Sequence, residues 1–180
     1  MTAARAPGLR VRRLRYRDLA EAGRIERAVF GTPWRVREFA FELSKPAGMG
    51  LAAVVDEDLA GYLVSCRQGS LWNLRNLAVA PTHRRRGIAS GLLETLLEHP
   101  AVAQTHVFLE VRESESGAIA LYARFGFRAV GRRPGFYRDN LEDAVLMWRS
   151  PPLGDGGRFG SGTPAGASLK GARRPARPPS

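Results

Sequence analysis

One stretch near the middle of the chain constrains the fold more than any other. The run Asn76-Leu-Ala-Val-Ala-Pro81 leads into a basic turn that ends at Gly87, and a leucine-rich segment follows to Leu97. Leucines recur in that segment at steps of three and four, which is typical of a helix with one buried face. The sequence therefore predicts a strand, a tight turn rich in arginine, and a helix that packs the turn against a core.

This turn has the chemistry of an anion site. The start of a helix leaves backbone N–H groups without partners in the helix and carries a partial positive charge. Gly87 lets the backbone approach an anion closely, and Ala89 is too small to obstruct it. The pattern favours a pyrophosphate ligand at this helix start, although a solvated turn has the same composition.

Length and composition indicate one domain. A chain of 180 residues is long enough to bury one core. Neither a signal peptide nor an apolar run of roughly 18 residues is visible, so we expect a cytoplasmic protein without a membrane span. The single cysteine, Cys66, is expected to be a buried thiol. The three histidines are scattered, and we expect no metal site.

The net charge of +11 predicts a surface that attracts anions such as nucleotides, RNA or acidic proteins. The arginine-rich segment around Val11 is interpreted as a solvated edge strand, with an RNA-binding stripe as the alternative. Residues 151–180 have almost no apolar side chains, which predicts a disordered basic tail after a domain over 1–150. The tail is interpreted as a solubilising linker or a weak RNA tether.

Periodicity and turn residues predict the remaining elements. Asp18 is expected to cap the start of the first helix, and Ser114 or Ser116 the start of the last helix. Gly126 is expected to end that last helix. Pro100 is expected to close the helix after the basic turn. The predicted strands cover residues 9–14, 48–55, 61–66, 71–79, 106–112, 127–131 and 143–148, and the predicted helices 19–30, 36–43, 88–97 and 117–125.

Two residues in the second half could carry chemistry. In the strand that contains Glu110, apolar side chains occupy both faces, so a carboxylate there requires a reason. It is either a salt-bridge partner of an arginine or a general base whose pKa is raised by partial burial. Tyr122 lies at helical spacing from Ile119 and Phe125, and a tyrosine of the core is its default interpretation.

Two motifs resemble a known family. Arg84-x-x-Gly87-x-Ala89 after an apolar strand resembles the coenzyme A pyrophosphate motif of the GNAT N-acetyltransferase superfamily, and the order of elements over residues 9–149 is similar to its fold. The resemblance implies an α+β fold in which helices flank a mixed, mostly antiparallel sheet. Leu109-Glu-Val-Arg112 with Ala118-Ile-Ala-Leu-Tyr122 is similar to the bacterial ribosomal-protein-alanine N-acetyltransferases.

That subgroup implies an acetyltransferase that uses acetyl-CoA, without a metal, on the N-terminal α-amine of a small-subunit ribosomal protein. By motif, Glu110 is the general base and Tyr122 the general acid. The implied enzyme is a monomer, and a weak RNA or ribosome contact through the basic tail stays open as an alternative to a solubilising linker. Two rivals remain: a GNAT that acetylates a lysine side chain or a small-molecule amine, and a non-catalytic ribosome- or RNA-binding module.

The resemblance also implies the ligand contacts. Backbone groups of Leu77 and Val79 hold the pantetheine arm and polarise the acetyl carbonyl. Glu115 stands where the family has an asparagine that contacts this arm, and Phe136 stands where the family has a tyrosine. The other implied cofactor contacts are Arg84, Arg85, Arg86, Gly87, Ile88 and Ala89. The implied acceptor contacts are Trp34, Asn76 and Tyr137.

Overall fold

The computed structural model describes residues 7–152 of the chain, which form a seven-stranded sheet with helices on both faces. Its strands are β1 (Arg10–Arg13), β2 (Gly48–Val55), β3 (Asp58–Gln68), β4 (Leu71–Val79), β5 (His106–Arg112), β6 (Arg128–Tyr137) and β7 (Glu142–Arg149). Its helices are α1 (Leu19–Val29), α2 (Val36–Ser44), α3 (Ile88–Glu98), α4 (Pro100–Ala103) and α5 (Ser116–Arg124).

The strand order is β1-β2-β3-β4-β5-β7-β6, and β4 and β5 are the parallel pair within this sheet. The predicted fold class and the predicted order of elements are confirmed, and β1 is an edge strand as predicted. β3 and β6 are longer than the sequence predicted. The predicted tail lies outside the described residues except for its first two positions.

Two of the predicted caps are wrong. Neither Ser114 nor Ser116 caps α5: Glu115 occupies the N-cap position without a side-chain cap, Ser116 is already the first helical residue, and Ser114 is held by Glu142 of β7, to which its N–H donates at 2.8 Å. Asp18 does not cap α1, because its carboxylate accepts the Arg15 N–H at 2.8 Å and so caps the 3-10 turn that precedes the helix.

Two other helix ends follow from backbone chemistry. Pro100 begins α4, where a missing N–H is tolerated, directly after α3 has ended. Gly126 ends α5 as predicted, with a φ of 83°. Its N–H donates to the Ala123 carbonyl at 3.0 Å, and the Phe127 N–H donates to the Tyr122 carbonyl at 3.1 Å. These paired bonds fix the helical turn that carries Tyr122.

Two hydrophobic clusters hold helices against the two faces of the sheet. The cluster under α3 contains the predicted leucine face and also Leu109, Val111 and Tyr122. The cluster on the other face joins α1 and α2 to β3 through side chains such as Phe39 and Tyr62. Cys66 is buried, as predicted. Within residues 7–152, no helix is long and apolar enough to cross a membrane.

The close approach of α3 to β3 gives a stability prediction. A Cβ atom on Gly61 would lie 2.8 Å from the Ala78 carbonyl oxygen and 3.2 Å from Ile88 Cγ2. We expect Gly61→Ala to lower the free energy of unfolding by about 1–3 kcal/mol, because the backbone must shift to admit the methyl group. Urea unfolding measures the change.

Gly117→Ala is the matched control, because a Cβ atom at Gly117 has no neighbour within 4 Å. Alanine should keep or slightly raise the stability of α5. Equal stability of the two variants would contradict the packing argument.

Candidate active site

The two parallel strands separate half-way along their length. β4 and β5 are paired from Leu71 and His106 to Leu74 and Leu109. Beyond that point β4 stays paired with β3, and β5 stays paired with β7. A register shift in the pairing of β3 and β4 leaves Arg75 as an extra residue where the separation begins, as in a β-bulge. The sheet therefore has a central gap towards the carboxyl ends of β4 and β5.

The edge of β4 that lines this gap exposes backbone polar groups. The Ala80 N–H donates to the Ala60 carbonyl at 2.8 Å, which fixes the alternation of the antiparallel ladder between β3 and β4. That alternation turns the N–H and C=O groups of Leu77 and Val79 away from β3 and towards the gap. These two residues therefore offer hydrogen bonds to an extended ligand in the gap, in the way that the family resemblance predicted.

The basic turn after β4 forms an anion cradle. Arg85 and Gly87 have positive φ angles of 64° and 73°, and α3 begins at Ile88. No side chain caps α3, and its first turn contains no acidic residue, so its first N–H groups keep their positive potential. Arg84, Arg85 and Arg86 are exposed and form no ion pair within residues 7–152. The cradle and the adjacent gap fit the pyrophosphate and the arm of coenzyme A.

Glu110 lies on β5, on the face that α1 and α2 cover elsewhere in the sheet. Its side chain is 10% exposed, and Oε1 accepts a hydrogen bond from Arg133 Nη1 at 2.6 Å. Burial raises the pKa of this carboxyl, against the opposing positive charges of Arg133 and Arg75. Both sequence interpretations therefore apply: Glu110 is a salt-bridge partner, and its pKa is shifted in the direction that a general base requires.

Tyr122 approaches from the opposite face of β5. Its ring packs edge-on against Phe127 at a centroid distance of 5.7 Å, inside the cluster under α3. Its hydroxyl makes no hydrogen bond within the described chain. Burial is the main reason why its pKa is raised, and the neighbouring Tyr137 and Glu115 add to the shift. Tyr122 is thus a core tyrosine, as the default interpretation predicted, whose neutral hydroxyl remains available to donate.

Tyr137 connects the two faces of the site. Burial raises the pKa of its phenol, and the nearby carboxylates, beginning with Glu110, also raise it, while Arg112 opposes the shift. Tyr137 also adds to the raised pKa of Tyr122, so its charge state is coupled to both predicted catalytic side chains. Glu110 and Tyr122 lie on opposite sides of β5.

Arg112 fixes the β6–β7 hairpin, and the sequence reasoning missed this role. Its guanidinium stacks 3.9 Å from the ring centroid of Tyr137. It donates to Asp139 at 2.6 Å and to Asn140 and Glu142 at 3.1 Å each. These donors help to lower the carboxyl pKa of Asp139 and Glu142. A lone arginine at the end of a strand, followed far along the chain by Asp-Asn-Leu-Glu, was the available signal.

The loop over residues 31–35 faces this hairpin. The Thr32 hydroxyl is close enough to Asp139 to contribute to its lowered pKa. The Trp34 ring packs edge-on against the Phe39 ring at a centroid distance of 5.3 Å. The backbone N–H of Trp34 donates a hydrogen bond to the Glu26 carboxylate at 3.3 Å. The 31–35 loop and the hairpin thus meet beside the gap.

The three predicted acceptor residues come from three elements: Trp34 from the 31–35 loop, Asn76 from β4 and Tyr137 from β6. The side chain of Asn76 donates to Glu26, the same carboxylate that holds the Trp34 N–H. Tyr137 stands on the facing hairpin. Sequence reasoning missed Glu26, although a carboxylate on the apolar stripe of α1 was a visible signal.

A sheet that separates between two parallel strands beside an uncapped basic helix start defines an acyl-CoA-dependent N-acyltransferase fold. The acetyltransferase (GNAT) family profile matches residues 16–127. The ribosomal protein bS18-alanine N-acetyltransferase of Escherichia coli K12 is 33% identical over 144 residues, which cover 72% of this chain and 89% of the relative. This chain belongs to the GNAT acetyltransferase family, and its acetyl donor is acetyl-CoA.

Solved structures agree with this assignment. The crystal structure of the ribosomal-protein-alanine N-acetyltransferase from Escherichia coli superposes with a TM-score of 0.72 at 30% identity, covering 84% of this chain and 99% of that chain. A structure of Arabidopsis thaliana NAA60 in complex with acetyl-CoA has the same fold, with a TM-score of 0.69 at 24% identity over 86% of this chain and 99% of that chain.

The ion pair of Glu110 gives a titration prediction. The positive charge of Arg133 lowers the Glu110 pKa against the effect of burial. We therefore expect Arg133→Gln to raise the Glu110 pKa further, because burial then acts with less opposition. NMR of the side-chain carboxyl group across a pH titration measures the shift.

Arg132→Gln is the control, because Arg132 pairs with the exposed Glu113 instead. Arg132→Gln should leave the pKa of Glu110 unchanged. A lower Glu110 pKa in Arg133→Gln, or equal shifts in the two variants, would show that the pair at 2.6 Å does not control this carboxyl.

Proposed function

We propose that this enzyme acetylates the N-terminal α-amine of a protein, and that its acceptor is the N-terminal alanine of a small-subunit ribosomal protein. The observation that carries the proposal is the placement of Glu110 and Tyr122 on opposite faces of β5, beside the gap between β4 and β5. The name of the Escherichia coli relative, whose acceptor is an alanine of ribosomal protein bS18, supports the choice of substrate. Because ribosomal proteins are made in the cytoplasm, the proposal assigns the reaction to that compartment.

The donor side uses the cradle and the edge of β4. The N–H groups at the start of α3 and the three arginines from Arg84 to Arg86 bind the pyrophosphate. The backbone of Leu77 and Val79 holds the arm in the gap, and an N–H group there polarises the thioester carbonyl. When bound, acetyl-CoA supplies an activated acetyl group. Glu115, at the N-cap position of α5, adds to the raised pKa of Tyr122 and introduces a carboxylate where the family has an amide.

The chemical step requires proton transfer at both the nitrogen and the sulfur. Glu110, in its ionised form, takes a proton from the α-ammonium group, directly or through water, because only the neutral amine is a nucleophile. The amine nitrogen then forms a bond to the acetyl carbon, and the carbon–sulfur bond breaks. The Tyr122 hydroxyl donates its proton to the departing sulfur, so the leaving group departs as a thiol. The remaining excess proton on the nitrogen passes through water to the Tyr122 oxygen, which restores the phenol, and Glu110 releases its proton to the solvent.

The acceptor side is formed by the 31–35 loop and the β6–β7 hairpin. Asp139 on the hairpin meets Thr32 on the loop, and Arg112 holds Asp139 in place. Contact between these two walls restricts the approach of the acceptor from that side, which favours the free end of a chain over a residue inside it. Trp34 and Tyr137 provide the aromatic surfaces of these walls.

Kinetics of two variants test the assigned roles. We expect Glu110→Gln and Tyr122→Phe each to lower kcat by about 10²-fold or more, because each removes one positioned proton-transfer group. Acetyl-CoA binding should persist in both variants, since neither side chain belongs to the cradle. Stopped assays of coenzyme A release measure the loss.

Glu113→Gln and Tyr16→Phe are controls that remove the same groups from exposed positions. They should keep normal turnover. Full turnover by both site variants in the folded state would refute the assigned roles.

A peptide series tests the acceptor class. We expect turnover with a peptide that carries the N-terminal residues of the cell's own alanine-starting small-subunit ribosomal protein, and none with its N-terminally blocked copy. A third peptide with a blocked N-terminus and an internal lysine distinguishes the lysine rival. Turnover on that peptide alone would refute the α-amine acceptor and show that the enzyme acetylates lysine side chains.

A further inference from the structure

The described chain contains a buried carboxylate that the proposed chemistry does not use. Glu26 is 1% exposed and lies on the inward face of α1, between Ala22 and Val29. A buried carboxylate is costly unless donors compensate for the lost hydration. Burial raises the Glu26 pKa, and every group that bonds to it opposes that shift by donating.

The donors come from three separate parts of the fold. Tyr62 on β3 donates its hydroxyl proton to Glu26 Oε1 at 2.5 Å. Asn76 on β4 donates its side-chain N–H to the same oxygen. The Trp34 N–H of the 31–35 loop donates to Oε2 at 3.3 Å. One carboxylate therefore connects the loop to the strand that lines the gap.

An aromatic chain completes this connection. The Trp34 ring meets Phe39 edge-on at 5.3 Å, and Phe39 meets Tyr62 edge-on at 5.1 Å. Trp34 is thus held by its ring through Phe39 and by its backbone through Glu26. The ring contact fixes the depth of the side chain in the core, whereas the backbone bond fixes the course of the loop towards β4.

We propose that Glu26 is a positioning residue that fixes the 31–35 loop relative to β4 and thereby sets the affinity for the acceptor peptide. The inference rests on the proposed function. Asn76 is followed directly by Leu77, whose backbone faces the gap, so Glu26 joins the acceptor wall to the donor wall. When the loop leaves its bound position, the fraction of enzyme that is competent for the acceptor falls, and the apparent affinity falls with it.

A double variant and its matched control isolate this role. Glu26→Met alone leaves the donors of Tyr62, Asn76 and Trp34 without an acceptor, which destabilises the fold. The double variant Glu26→Met with Tyr62→Phe removes the Tyr62 donor as well, and it still lacks an acceptor for the Trp34 N–H and the Asn76 side chain. Tyr62→Phe alone is the matched control, because it removes one donor and keeps the bond between Glu26 and Trp34.

The expected result is a split between the two substrates. Relative to Tyr62→Phe, the double variant should raise KM for the peptide roughly tenfold or more, the size expected for losing a hydrogen bond to a charged group. KM for acetyl-CoA should change less than about twofold, since the cradle is untouched. Equal peptide KM values in the two variants would overturn the proposal, as would a parallel rise in both KM values.

Hydrogen exchange separates this proposal from the proposed function. The Trp34 amide should exchange faster in the double variant than in Tyr62→Phe, because its acceptor is lost. This readout needs no substrate. Unchanged exchange overturns the role of Glu26 whatever the enzyme acetylates, whereas absent α-amine turnover in the wild type refutes the proposed function alone.

Discussion

The separation of β4 and β5 beyond Leu74 and Leu109 is the constraint on which the rest of the structure depends. A strand edge in the middle of a sheet has N–H and C=O groups that need partners, and each one left buried and unsatisfied costs about 1–3 kcal/mol. The outer neighbours β3 and β7 hold the two strands along their remaining length, so the gap persists without loss of the sheet. A ligand that lies in the gap with the hydrogen-bonding pattern of a strand satisfies those groups.

The same separation explains why the two predicted catalytic residues lie on opposite faces. Successive side chains of β5 alternate between faces, so Glu110 projects towards the side of α1 and α2, while Leu109 and Val111 pack in the cluster under α3 that also contains Tyr122. In a closed sheet, the backbone of β4 and β5 would separate Glu110 from Tyr122. The gap interrupts that barrier, and Tyr137 on the hairpin interacts electrostatically with both side chains.

Sequence patterns predicted the parts of the molecule that depend on local chemistry. The leucine spacing of α3, the alternation around Glu110 and the glycine at the end of α5 each determine one element by periodicity or backbone freedom. Contacts between elements distant in the chain were not predictable in this way. Arg112 reaches Asp139 across 27 residues, and Asn76 reaches Glu26 across 50, so no spacing rule connects them. The predicted caps at Asp18 and Ser114 were wrong because contacts outside the helix engage these residues: Arg12 and the Arg15 N–H bind the Asp18 carboxylate, and Glu142 binds the Ser114 N–H.

The two outer strands of the described sheet have a feature in common. β1 has arginine at three of its four positions, and β6 combines Arg128, Arg132 and Arg133 with Pro134. An open strand edge is a template for pairing with another chain, and natural proteins block it with charge, short length or proline. Two copies of this protein that met edge to edge would bring arginines against arginines. The sheet is thereby protected from growing into an aggregate at both ends, even though its centre exposes unpaired backbone to a ligand.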